Sequence, residues 1–245
     1  MPELKIKIAD DKKVVISKYK QNSSSQAIIS ELMVFANSLI AEYTYKNKIP
    51  CIYRYQDEPS EVIDFNSDIN PIILMYKQRR FMKKSETSTV ANEHHGLGLN
   101  SYTQMTSPIR RYSDLVVHRQ LKSYLRTGEP FYSEEKIKEV INFSEHSIYI
   151  ANLIQRTSNR YWVCKFLSNY IGCKTPALVL DIVDERYQVQ LSDYLIELPL
   201  FKELGAKLEI GQEIEVIIKD VQIRRGFIAI KLLKEPDEDV KSIEV

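Results

Sequence analysis

With 245 residues, 44% of them hydrophobic and 27% charged, the chain has the makeup of a globular protein of one large or two ordinary domains. That balance excludes a disordered or collagen-like chain, no continuous apolar run predicts a membrane span, and the start MPELKIKIADDKK lacks the apolar centre of a secretory leader. The formal net charge of +1 hides local imbalance: residues 77–126 carry a surplus of seven positive charges, and residues 235–245 form a tail with a surplus of four negative ones. A surplus of seven attracts polyanions, although arginines and lysines on solvated helix faces read the same way. Cys51, Cys164 and Cys173 are odd in number and lack C-x-x-C spacing. They predict neither a disulfide framework nor a zinc site, but small buried side chains in a reducing compartment.

In chain order, residues 4–20 alternate apolar and polar around Asp10-Asp11-Lys12 and predict a β-hairpin. Asn22-Ser23-Ser24-Ser25 offers a helix cap, and Ile28, Leu32, Phe35, Leu39, Ile40 and Tyr43 recur at helical spacing to form one apolar face up to about Lys46. The acid-rich stretch 51–71 includes Asp64-x-Asn66-x-Asp68, but Ile69 and Met75 replace the glycine and glutamate of a calcium loop, so its acids read as ordinary loop carboxylates. A helix is predicted from a Ser113 cap, with Leu115, Val116, Leu121 and Leu125 as its apolar side and Gly128 and Pro130 at its close. Ser133 caps a long helical stretch that keeps helical spacing to Gly172, and its unusual length leaves a break inside it as an alternative. After Gly172, five short β-type runs at 177–183, 187–191, 195–200, 214–221 and 227–233 predict a small barrel of the oligonucleotide-binding class.

The densest chemistry lies in YTQMTSPIRRYSDLVVHR, residues 102–119, where a Ser107-Pro108 turn delivers Arg110 and Arg111 to a helix start. Guanidinium forks and unpaired helix N–H groups together suit phosphate, although structural salt bridges suit the same arginines equally well. His118 shares a helix face with Asp114 and is expected to pair with it. His94 and His95 precede Gly96-Leu97-Gly98, whose glycines allow a turn or a close backbone approach.

The run HHGLGLNSYTQMTSPIRRYSDLVVHRQL resembles the signature of the ribonuclease II family, whose catalytic region is called RNB. The resemblance continues backward through Ser30 to Asn37 and Ile52-Tyr53-Arg54, and forward through Gln155 to Trp162, a segment similar to the cyanobacterial and plastid branch. It implies an α+β fold: the helix-rich C-terminal part of an RNB region over 1–172, an oligonucleotide-binding barrel over 173–234, and the acidic tail 235–245. It implies processive 3′-to-5′ hydrolysis of single-stranded RNA to nucleoside 5′-monophosphates, with Arg110 at the scissile phosphate as the catalytic residue. Arg111, Tyr112, Arg119, Arg79 and Arg80 are the expected RNA-binding side chains, joined by Tyr187, whose ring either stacks a base or packs in the core.

Relatives bind Mg2+ through a D-x-x-x-x-x-D-x-D-D cluster, which this sequence lacks, and Gln155 and Thr87 replace a glutamate and a tyrosine found in many relatives. The expectation is therefore a chain without metal ligands, the C-terminal part of an RNB protein, inactive alone and completed either by another chain or by the rest of a longer enzyme of which it is a fragment. The alternative is a non-catalytic RNA-binding accessory or relic. Expected partners are single-stranded RNA, without DNA specificity and without a membrane, in the cytoplasm or the plastid stroma.

Overall fold

The computed structural model describes residues 3–9, 13–19, 23–61, 70–202, 207–233 and 241–243. The turn 10–12, the Asp64-x-Asn66-x-Asp68 stretch and most of the acidic tail lie outside the described residues. The chain divides into two compact units, one built from 1–21, 65–76 and 152–245, the other from 22–64 and 77–151.

In the first unit, strands β1 (Glu3–Ile8) and β2 (Val14–Tyr19) pair as the expected hairpin, Ile6 opposite Ile16. Five antiparallel strands follow: β5 (Lys174–Val183), β6 (Arg186–Leu191), β7 (Ile196–Phe201), β8 (Glu213–Gln222) and β9 (Phe227–Leu232), in sheet order β7-β6-β5-β8-β9. Register shifts at Val179/Asp181 and Ile218/Asp220 supply the local bends a small barrel needs, and β7 approaches β9 so that the sheet nearly closes. Alternation dictates burial here: Tyr187, Val189 and Leu191 of β6 and Ile196, Leu198 and Leu200 of β7 all point into one core. Ile16 of the hairpin and Val163, Cys164, Phe166 and Leu167 of a preceding helix complete that core.

In the second unit, α1 (Ser24–Lys46) starts at a full capping box, with Ser23 and Gln26 satisfying each other's backbone N–H groups. Its packing corrects the sequence reading. The buried residues are Asn37, Ala41 and Thr44, whereas Ile28, Leu32 and Phe35 are each 60% exposed and Leu39 is 46% exposed. The polar residues are inside because distant groups satisfy them: Asn37 donates to the Tyr102 hydroxyl at 3.0 Å and accepts from Met105 N–H at 3.0 Å, and the Thr44 and Tyr53 hydroxyls lie 3.1 Å apart. A second correction concerns membranes, because α1 is long and apolar enough to cross one by length and composition alone.

The short strands β3 (Tyr53–Tyr55) and β4 (Glu86–Ser88) pair antiparallel. Helix α2 (Pro71–Phe81), which the sequence reading did not anticipate, opens on Asn70, whose side chain accepts from Ile72 N–H at 2.9 Å. Helix α3 (Tyr112–Thr127) starts one residue before its expected cap, so Ser113 lies inside it, and it ends at Gly128 in the left-handed region at φ 75°. Its buried residues are Asp114, Val116, Val117 and Gln120, while Leu125 is exposed. Helix α4 (Glu134–Leu167) is one continuous helix of 34 residues, which decides between an unbroken and a broken stretch, and Ser133 accepts from Lys136 N–H at its start. Ile137, Val140 and Ile141 of α4 pack with Val116, Val117, Cys51, Ile52 and Tyr53. Cys51 and Cys164 are free and buried as expected, but Cys173 is only partly so.

Candidate nucleic-acid interface

The segment 102–111 is threaded through the second unit by backbone and side-chain bonds. Tyr102 C=O accepts from Arg54 N–H of β3 at 2.8 Å, Met105 C=O lies 2.8 Å from Nε2 of His118, and Ser107 N–H donates to Asp114 at 2.8 Å. These ties hold the Ser107-Pro108 turn at the start of α3, where Arg110 and Arg111 N–H groups both reach the Ser107 carbonyl.

The two arginines part there. Arg111 donates to the Asp114 carboxylate through Nε at 3.0 Å and Nη2 at 2.7 Å, and that carboxylate is fully buried. Arg110 is exposed and unpaired among the described residues, next to the fully exposed Ile109. The positive end of the α3 dipole is already answered by the protein's own Asp114, so the group left for an external anion is the Arg110 guanidinium rather than the helix start. The expected Asp114–His118 pair does not form. Asp114 belongs to Arg111 and Ser107, and His118 belongs to the Met105 carbonyl.

Tyr112 and Arg119 are exposed on α3, and one Arg119 Nη donates to the Tyr132 hydroxyl at 2.8 Å. Arg79 and Arg80 are exposed on a different element, the last turn of α2. Tyr187 is 5% exposed in the barrel core, and its hydroxyl accepts from Leu208 N–H at 3.2 Å. A base cannot stack on a ring enclosed in this way, so of the two readings of Tyr187 the structure has core packing.

His94 stacks edge-on against Tyr102 at 5.5 Å, and burial pushes its imidazole below the usual range. A Cβ at Gly96 would meet the ends of the Gln56 and Met82 side chains, so a larger residue there requires those two side chains to shift. Burial likewise pushes the Tyr53 phenol up to about 12. A cleft of about 480 Å³ opens nearby, lined by Tyr55, Asp57, Glu58, Lys83, Glu93 and His95 among others, and by none of the residues that the sequence assigns to RNA.

The described residues do not suit Mg2+. No three His, Cys, Asp or Glu side chains among them converge as metal ligands, and the one acid beside the Ser107–Arg111 turn, Asp114, is already bonded to Arg111.

Comparison with known proteins adds a common frame. The RNB domain model matches residues 1–127. An uncharacterized ribonuclease of Synechocystis is 35% identical over 212 residues, covering 85% of this chain and 30% of that protein. The chloroplastic/mitochondrial ribonuclease II of Arabidopsis thaliana is 29% identical over 239 residues, covering 94% of this chain and 29% of its own length. RNase R of Mycoplasma genitalium, solved in complex with ribose-methylated single-stranded RNA, superposes with a TM-score of 0.79 at 21% identity, over 95% of this chain and 45% of that one. The chain thus spans less than a third of the length of these curated relatives.

Proposed function

Because the chain belongs to the RNB family of ribonucleases, we propose that it is the RNA-gripping portion of a 3′-to-5′ exoribonuclease that releases nucleoside 5′-monophosphates. The observation that carries this reading is the division of labour at the Ser107–Arg111 turn: Arg111 is spent on Asp114 and fixes the turn, and Arg110 is presented outward. A fixed, permanently charged guanidinium at that place suits the charge that develops on a phosphodiester under attack. Tyr112, Arg119, Arg79 and Arg80 extend the contact surface along single-stranded RNA, with DNA not preferred. The RNB portion runs over 1–172 and the barrel over 173–234. The compartment is the cytoplasm or the plastid stroma.

In this reading the Mg2+ ligands are supplied by another chain or segment. The exposed apolar face of α1 supports a completing partner, because the curated relatives carry more than two thirds of their length outside the matched span. The occupant of that face is the metal-binding remainder of the RNB region. A second reading, a non-catalytic RNA-binding accessory, is favoured by the lack of converging carboxylates among the described residues.

Fluorescence anisotropy with labelled single-stranded RNA tests the shared core of both readings. Affinity should fall with salt at a log–log slope of about −0.7 per phosphate contacted, and Arg110→Ala should weaken it. A response flat in salt contradicts both readings.

A further inference from the structure

Arg54 is a half-buried cation of the second unit that forms no ion pair among the described residues. On β3 the side chains alternate, so Arg54 projects opposite to the buried Tyr53. Its Nε donates to the Ser85 hydroxyl at 3.3 Å and its Nη1 to the Gln104 side-chain carbonyl at 3.2 Å. Both acceptors are neutral. The two Nη2 hydrogens and one Nη1 hydrogen have no partner among the described residues.

Nor is there an acid within ion-pair distance of it among those residues. Glu145 and Asp114 favour its charge only from a distance, Asp114 being paired with Arg111 and Glu145 accepting from the neutral Thr87 hydroxyl. Burial, and after it the like charge of Arg111, both push the Arg54 guanidinium below its usual range. A half-buried cation beside a second cation, held in place by neutral hydrogen bonds, is costly for a fold to keep without a counter-charge. Perturbed, positioned groups of this kind cluster where ligands dock.

We propose that Arg54 is an anion site of this chain, with Ser85 and Gln104 orienting its open Nη edge to receive a phosphodiester of single-stranded RNA. The proposal rests on the RNA-binding reading above for its ligand, and on the Arg54 geometry alone for its chemistry. A planar fork with its Nη2 edge open matches two phosphate oxygens, which an ammonium in the same place does not. Gln104 lies three residues before Ser107, so a phosphate at Arg54 is read by the same segment that presents Arg110.

The test uses the full chain and two readouts. In the first, single-stranded RNA is titrated across a salt series against wild type, Arg54→Gln and Arg54→Lys. Arg54→Gln should lower affinity about tenfold and reduce the magnitude of the log–log salt slope by about 0.7, the loss of one phosphate contact. Arg54→Lys should keep the slope but not the full affinity. In the second, the Arg54 Nε–H resonance of the folded wild-type chain is followed while inorganic phosphate, and separately a short RNA, is added. Movement with RNA supports the proposal. Movement with inorganic phosphate and an unaltered RNA slope keeps the anion site but overturns RNA as its ligand. An unmoved resonance with an unchanged slope in Arg54→Gln overturns the proposal outright. Should the wild-type chain bind no RNA at all, the proposed function fails, and the phosphate titration still decides whether Arg54 holds an anion.

Discussion

The barrel and the α1 region solve burial in opposite ways. In β6 and β7 the buried residues are the hydrophobic ones that alternation selects, Val189, Leu191, Leu198 and Leu200. In α1 the inward face is Asn37, Ala41 and Thr44, and Ile28, Leu32 and Phe35 are left outside. The difference teaches that periodicity identifies two faces of an element without saying which one its own unit uses. Where the inward face is polar, hydrogen bonds with distant partners do the selecting, and the outward apolar face is free for something else.

The largest effect expected from breaking this arrangement is at the polar end of the comparison. Asp114→Ala leaves Arg111 as an unanswered, mostly buried cation and should cost about 4 kcal/mol, within the range for breaking a buried pair. Thermal or urea unfolding measures it, and a loss below about 1 kcal/mol would show that the Ser107–Arg111 turn is not held as described. In the barrel, Leu198→Ala should cost about 3 kcal/mol by the usual toll of a buried Leu truncation. An effect near zero would mean that β7 does not face the core.

Asn37→Ala removes two buried hydrogen bonds, to Tyr102 and Met105, and should cost about 2 kcal/mol. Paired with it, Leu32→Ser and Phe35→Ser should change stability by no more than about 0.5 kcal/mol, as surface substitutions do. The same two substitutions should abolish co-elution with a metal-binding RNB segment. A helix packed on its apolar face reverses the order, with Asn37 tolerant and Leu32 sensitive. Self-association of the chain or binding to lipid vesicles, lost in Phe35→Ser, would instead assign the face to a second copy or to a membrane.

The smallest effect is one of pH. His94 has a folded pKa depressed by burial from its ordinary 6.5, so the unfolded chain binds the proton more readily. The stability this provides is complete above about pH 6.5 and declines as pH falls through the lower folded value. Melting temperature should therefore drop below that pH, and less so in His94→Gln. Equal acid sensitivity in the two proteins would remove the assignment.

Much of this architecture was legible because its signals are local. The five barrel strands announce themselves by alternation between turn residues, and Ser23 announces α1 through a cap three residues from Gln26. The RNB signature placed Arg110 and Arg111 together, but Asp114, three residues on from Arg111, was assigned to His118 instead. The illegible features depend on partners far along the chain. Asn37 is inside because of Tyr102 and Met105, and Arg54 is oriented by Ser85 and Gln104, contacts that no helical or strand period encodes. The spacing of α4 was legible, but its length left open whether the helix breaks inside, which only the structure decides.

The central claim is that these residues hold RNA phosphates while the acids that would seat Mg2+ lie elsewhere. Incubation of the 245-residue chain with Mg2+ and 5′-labelled single-stranded RNA tests it directly. The account predicts a retarded, uncut RNA under conditions where binding is saturated. A ladder of shortened products, lost in Arg110→Ala, would contradict it.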